Sequence, residues 1–189
     1  MQPDLHSYAN AAWIAVGLVW AVGALTTKHT ARNETAVSLL FHLLLATAGF
    51  SLAFRNVRYG PLGWQFVPDS AFIAYSGLAL TIAGCALAIW ARIFLGRNWS
   101  AAVTIKHNHT IIRGGPYAIV RHPIYSGGLL ALLGNAFVVG EVRGLVALVL
   151  VFIAWWTKLS VEEKFLSEQF GAEYAQYQRE VKALIPFVL

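Results

Sequence analysis

One stretch of the chain concentrates residues able to hold and orient a charged ligand. It reads Asn98-Trp99-Ser100, then Lys106-His107-Asn108-His109, Gly114-Gly115-Pro116-Tyr117 and Arg121-His122-Pro123-Ile124-Tyr125-Ser126-Gly127. Three of the six histidines fall here. Pro116 and Pro123 push the residues before them, Gly115 and His122, towards extended backbone. Pro123 suits the first position of a helix, which makes His122 a cap residue. A helix N-terminus carries unpaired N–H groups and partial positive charge, so it favours an anionic group such as a carboxylate. Tyr125 falls in the first turn of that helix, close enough to join the same pocket. Anchoring to lipid headgroups would use the basic and aromatic residues, but it does not need so many rigid turns.

A second cluster is Glu162-Glu163, followed by Phe165, Leu166, Phe170, Tyr174, Tyr177 and Val181. Spacings of mostly three or four describe an amphipathic helix lying on a membrane surface. Ser160-Val161-Glu162-Glu163 fits a capping box, with Glu163 reaching back to Ser160, if a helix begins there instead of continuing from the apolar run before it. The other carboxylate, at the membrane edge beside a basic loop, calls for a partner.

These residues must be positioned by membrane helices. Of 189 residues, 58% are hydrophobic and 12% charged, against about a quarter charged in soluble domains. Mean hydropathy is +0.59, which excludes an ordinary soluble globule and a disordered chain. The single cysteine, Cys85, excludes an intrachain disulfide and a zinc knuckle. Net charge is +5, but the basic residues are scattered among apolar runs and form no nucleic-acid stripe. The expected fold is all-α and polytopic, with about five spans: Ala9–Thr27, Ala36–Phe54, Ala71–Ala91, Ile124–Gly140 and Gly144–Thr157. The last two are separated only by the short polar turn Glu141-Val142-Arg143. The last is short, so it either leans on Arg143 and Lys158 snorkelling outwards or does not fully cross.

Lys and Arg counts set the direction. With the N-terminus outside, the inward segments 28–35, 96–123 and 158–189 hold ten, and the outward ones hold only Arg55, Arg58 and Arg143. Arg92 sits at the inner end of the third span. The last two spans form a hairpin, so the basic loop and the Glu162-Glu163 segment lie on one face and can build one site. A metal is not expected. His107, His109 and His122 with a glutamate could surround one, but membrane di-metal sites need more histidines at regular helical spacing. No Rossmann turn, P-loop or nucleophile elbow occurs.

Taken together, these residues resemble the isoprenylcysteine carboxyl methyltransferase family and its prokaryotic relatives. The pattern is His109-x-Ile111-Ile112-x-x-Gly115-Pro116-Tyr117, then Arg121-His122-Pro123-x-Tyr125-x-Gly127, then Glu162-Glu163-x-x-Leu166, Phe170-Gly171, Tyr174, Tyr177, Val181 and Ile185-Pro186. It runs from about residue 84 to 186, so residues 84–189 are expected to form the methyltransferase core and 1–83 to add spans without a motif. Lys158, one turn before Glu162, stands where relatives commonly place an arginine, and Arg113 where they often carry a small hydroxyl residue. The resemblance implies an integral-membrane enzyme using S-adenosylmethionine on the cytoplasmic side. His109, Ile111, Ile112, Gly115, Pro116, Tyr117, His122, Pro123, Tyr125, Glu162 and Glu163 would form the cofactor site. Arg121 or Arg92 would orient a lipophilic acceptor, with Glu163 also in the catalytic set. Rival expectations are a phospholipid or amine methyltransferase, an NADPH-dependent membrane reductase and a non-catalytic scaffold.

Overall fold

The computed structural model describes residues 4–25, 30–33, 35–96, 99, 104–106 and 111–188. His107 and His109 therefore lie outside the described residues. The elements in chain order are α1 (Leu5–Ala24), β1 (Thr30–Asn33), α2 (Ala36–Phe54), α3 (Ala71–Leu95), β2 (Thr104–Lys106), α4 (Pro123–Val139), α5 (Val142–Phe170) and α6 (Ala172–Glu180). Single 3-10 turns cover Gly60–Gly63 and Gly115–Ala118. Helices α1, α2, α3 and α5 are each long and apolar enough to cross a membrane. Helix α4, with 17 residues, is apolar but shorter, about 25 Å of rise.

Two expectations about the C-terminal half are corrected. The apolar run ending at Thr157 is not a short span, because α5 continues unbroken to Phe170. Its 29 residues extend about 44 Å, so the polar turns carrying Lys158, Glu162 and Glu163 project beyond the roughly 30 Å hydrocarbon core. Nor does a helix begin at Ser160. Its hydroxyl donates to the Trp156 carbonyl at 2.8 Å within α5, so there is no capping box and Glu163 is free for a distant partner. The helix breaks at Gly171, where φ is +50°, and α6 starts at once.

Small residues set the central packing. Gly77, Thr81, Gly84 and Ala88 of α3 face Gly127, Ala131, Gly134 and Val138 of α4 backbone to backbone. A Cβ on Gly84 would lie 2.4 Å from the Ala131 nitrogen, and one on Gly134 2.4 Å from the Thr81 nitrogen. No hydrophobic driving force acts between helices within lipid, so such close approach is what holds them. Helix α2 packs on α5, around Ala53, Ala147 and Val151. Trp13 of α1 meets Phe50 and Phe54 of α2 edge-on.

The connections fall into two sets. At one end β1 pairs antiparallel with β2, joining two of the segments that the charge count places on one face. At the other, the Phe66 N–H donates to Gly140 and the Val142 N–H to Trp64. There Glu141 and Arg143, read from sequence as a polar turn, are buried. Arg143 Nε donates to Glu141 at 2.6 Å, and Nη1 donates to the carbonyls of Leu52 and Arg55 at 3.0 and 2.7 Å. Arg58 lies 2.7 Å from the other Glu141 oxygen.

Candidate active site

The site is built where the start of α4, the end of α5 and the chain after α6 meet. Pro123 opens α4 with His122 at the N-cap position, but the imidazole makes no capping bond. It turns instead to α5, where Nε2 lies 3.0 Å from Glu163 Oε1. Arg121 places both Nε and Nη2 on that oxygen, at 2.8 and 2.7 Å. Gln178 of α6 donates to Oε2 at 2.9 Å. One carboxylate thus gathers four nitrogen contacts from three residues on two segments.

The C-terminal chain locks this arrangement by its backbone. Arg121 Nη1 donates to the carbonyls of Gln178 and Val181. The Arg121 and His122 N–H groups donate to Lys182 and Ala183 at 2.7 and 3.0 Å. Ser126 Oγ donates to Leu184 at 2.6 Å. A run with no chemistry of its own therefore fixes the Arg-His-Pro segment from the outside.

Glu162 faces differently. It accepts the Tyr125 hydroxyl at 3.0 Å on Oε2 and remains half-exposed. The Tyr125 ring lies nearly parallel to His122, 17° between planes with centroids 5.6 Å apart, and packs on Trp155 at 5.5 Å. Lys158 Nζ stands 6.0 Å from the same ring. The adjacent carboxylates have separated duties: Glu163 is saturated by protein donors, and Glu162 presents its charge beside an aromatic face.

The Gly-Pro-Tyr turn forms the next wall. Gly115 has φ +57° and lies on Phe94, whose ring a Cβ would meet at 2.6 Å. Pro116 and Tyr117 are buried, and the Tyr117 hydroxyl points to the Ala91 carbonyl at 3.4 Å. Tyr177 donates to the Tyr117 carbonyl at 2.5 Å. Burial pushes the Tyr117 and Tyr174 phenols far above their usual range and Tyr177 up to about 12. All three are neutral phenols at physiological pH, so none offers a phenolate base. Arg113 reaches the Glu173 carbonyl at 2.7 Å and lies over Tyr177.

The sequence-predicted residues are therefore partly brought together. Arg121, His122, Pro123, Tyr125, Glu162 and Glu163 form one cluster, with Gly115, Pro116 and Tyr117 beside it. Ile111 and Ile112 are half-buried just before the turn. Arg92 stands apart on α3, next to Ala91, whose carbonyl the Tyr117 hydroxyl reaches. Sequence reasoning missed Gln178, Trp155 and the carbonyls of residues 181–184. The hints of that last group were Val181 and the Ile185-Pro186 end of the motif pattern.

The sequence is similar to several proteins named as methyltransferases. A family model described as phospholipid methyltransferase matches residues 72–173, more than half of the chain. A probable protein-S-isoprenylcysteine O-methyltransferase of Oryza sativa is 31% identical over 163 residues, 85% of each chain. The protein-S-isoprenylcysteine O-methyltransferase of Schizosaccharomyces pombe is 29% identical over 189 residues, 97% of this chain and 78% of that one. The cobalt-zinc-cadmium resistance protein CzcN of Cupriavidus metallidurans is 30% identical over 133 residues, 69% and 57% of the two chains. The chain is a multi-pass membrane methyltransferase. It belongs to the phospholipid methyltransferase family, together with the isoprenylcysteine O-methyltransferases it resembles. Membership implies S-adenosylmethionine as the methyl donor.

Proposed function

We propose that residues 84–189 form the catalytic core, that S-adenosylmethionine binds beside Glu162 and the start of α4, and that the acceptor is a lipophilic carboxylate such as that of a prenylated cysteine. The observation that carries this reading is the split between the two glutamates. Glu163 ties Arg121, His122 and Gln178 into a fixed frame, which leaves Glu162 as the carboxylate facing a ligand. The donor set fits the cofactor. Glu162 suits the ammonium or ribose hydroxyls, the first N–H groups of α4 with His122 suit the methionine carboxylate, and Tyr125 and Tyr117 offer aromatic surface. Ile111 and Ile112 would line the apolar part with the Gly115-Pro116 turn, and His109 would join them.

When bound, the cofactor supplies a sulfonium-borne methyl group for in-line displacement. The chain's own contribution is alignment and exclusion of water. An arginine, Arg121 or Arg92, orients the acceptor. A carboxylate acceptor needs no general base, which agrees with the neutral tyrosines around the turn. We also propose the N-terminus outside and the site facing the cytoplasm, in the plasma membrane of a prokaryote or the endoplasmic reticulum of a eukaryote. The names of the Oryza and Schizosaccharomyces relatives, both isoprenylcysteine O-methyltransferases, favour the prenylcysteine acceptor. The description of the matching family model supports a second reading, methylation of a phospholipid or amine.

Labelled S-adenosylmethionine incubated with the purified protein and a total lipid extract, or with an S-prenylated cysteine, separates the two by the labelled product. A base-labile ester on the prenylcysteine supports the first reading and a methylated headgroup the second. No labelled product, together with no calorimetric binding of S-adenosylhomocysteine, overturns both.

A further inference from the structure

Arg92 is 3% exposed, three residues from the end of α3. Its Nη1 donates to the Gly96 carbonyl at 2.9 Å, and its guanidinium carbon lies 4.4 Å from the centre of the Trp99 ring. Trp20 of α1 meets Trp99 edge-on at 6.2 Å. The guanidinium is thus held in place from two directions. Its remaining nitrogens, Nε and Nη2, are buried and have no hydrogen-bond partner among the described residues.

Those two nitrogens are one edge of the guanidinium, with N–H bonds that point the same way. That edge is the fork that matches two oxygens of a carboxylate or phosphate. Arg121 turns the same edge to an anion, placing its own Nε and Nη2 together on one oxygen of Glu163. Arg92 presents an equivalent edge with no glutamate on it among the described residues. A buried cation without a counter-charge is unfavourable, and at the end of a membrane helix it marks a place where a ligand supplies the charge.

We infer that Arg92 is an oxyanion-binding residue whose Nε–Nη2 edge takes the carboxylate or phosphate of a molecule with an apolar tail. The tail follows from the surroundings. Ile93, next to Arg92 on α3, and Val22 and Leu25, in and just after the last turn of α1, are exposed apolar residues at this end of the bundle, so a ligand reaching Arg92 from the bilayer keeps its chain in hydrocarbon. Access is set by α1, the least buried of the four long helices. Gly23 in its last turn lies so close over the edge that a Cβ there would stand 2.2 Å from Nη2. Lifting that turn opens the fork, while α3 and α4 stay packed.

The location gives the site a use. Ala91, the residue before Arg92, accepts the Tyr117 hydroxyl, so an anion held here stands next to the position of α3 on which the Gly-Pro-Tyr turn rests. That the anion is the methyl acceptor rests on the methyltransferase reading; the binding site itself does not.

The test is native mass spectrometry of the purified full chain in a neutral detergent, titrated with oleate and with oleyl alcohol, which has the same tail and no charge. Oleate should bind about tenfold or more tightly than the alcohol, the scale of a charged, forked hydrogen bond. Arg92→Lys keeps the charge but not the fork, and should abolish that preference while still binding S-adenosylhomocysteine. An unchanged preference in Arg92→Lys overturns the inference. If the variant does not fold, phenylglyoxal labelling of the wild type at Arg92, read by peptide mass, gives the answer. Protection by oleate supports the site, and no protection overturns it. Displacement of oleate by an S-farnesyl cysteine acid names the acceptor as the source, and displacement by phosphatidic acid names a bilayer lipid. Displacement by neither overturns the inference. Wild type that fails to bind S-adenosylhomocysteine yet prefers oleate would sink the methyltransferase reading and leave this site standing.

Discussion

Arg121 and Glu163 are 42 residues apart in the chain and joined by two guanidinium nitrogens on one carboxylate oxygen, at 2.8 and 2.7 Å. The contact ties the start of α4 to the polar end of α5. It also relieves the neighbouring Glu162 of any structural load beyond one tyrosine hydroxyl.

Glu163→Gln should therefore act on the fold as well as on the site. It leaves the Arg121 charge, with a side chain 10% exposed, without its counter-ion, which costs about 3 kcal/mol or more for a buried pair. Thermal unfolding in detergent should show a lowered midpoint, and calorimetry should show loss of S-adenosylhomocysteine binding.

Glu162→Gln should separate the two effects. Its carboxylate is half-buried and accepts the Tyr125 hydroxyl, so the unfolding midpoint should barely move while cofactor affinity falls about tenfold or more, as for loss of a charged hydrogen bond. Equal affinity in the variant and wild type would remove Glu162 from the site.

Tyr125→Phe keeps the stack on His122 and Trp155 and removes only the hydroxyl given to Glu162. A loss of about 1 kcal/mol, or roughly fivefold in S-adenosylhomocysteine affinity, is expected from one such bond. Tyr125→Ala, which also removes the stack, should lose more.

At the opposite end, Arg143→Met removes the donor to the Leu52 and Arg55 carbonyls and leaves buried Glu141 with Arg58 as its remaining cation. The cost should be about 3 kcal/mol, read as a lower unfolding midpoint. Cofactor affinity of the folded protein should be unchanged, because the clamp lies a membrane's width from the site.

Gly84→Val places new atoms where a Cβ already stands 2.4 Å from the Ala131 backbone nitrogen. Backbone cannot yield as a flexible side chain does, so destabilisation of about 1–3 kcal/mol or more is expected. Size-exclusion profiles and unfolding midpoints check it.

Much of the candidate site is legible in the chain because its chemistry is written in rigid words. Gly115-Pro116-Tyr117 and Arg121-His122-Pro123 combine charge with restricted backbone, and the hairpin of α4 and α5 brings them to the Glu162-Glu163 side. The division of labour between the glutamates is not legible. It depends on Gln178 and on the carbonyls of residues 181–184, which have no distinctive type or spacing. The capping-box reading of Ser160 failed for a related reason: a local pattern was overruled by a helix already running through it. Glu141 and Arg143 looked like solvated turn residues, since sequence alone cannot reveal that Leu52 and Arg55 carbonyls wait above them.

The glycine-lined contact between α3 and α4 has a mechanical consequence. With backbone resting on backbone, the two helices have no compressible layer of side chains between them and behave as a single beam. Any breathing that admits a lipid-borne molecule must then come from the elements hung on the beam. Helix α1 and the α2–α5 pair both rest against it, and Trp13 of α1 touches Phe50 and Phe54 of α2. The enzyme is built as a fixed spine with a loosely hinged panel, and the panel whose last turn covers Arg92 is the one with the least to hold it shut.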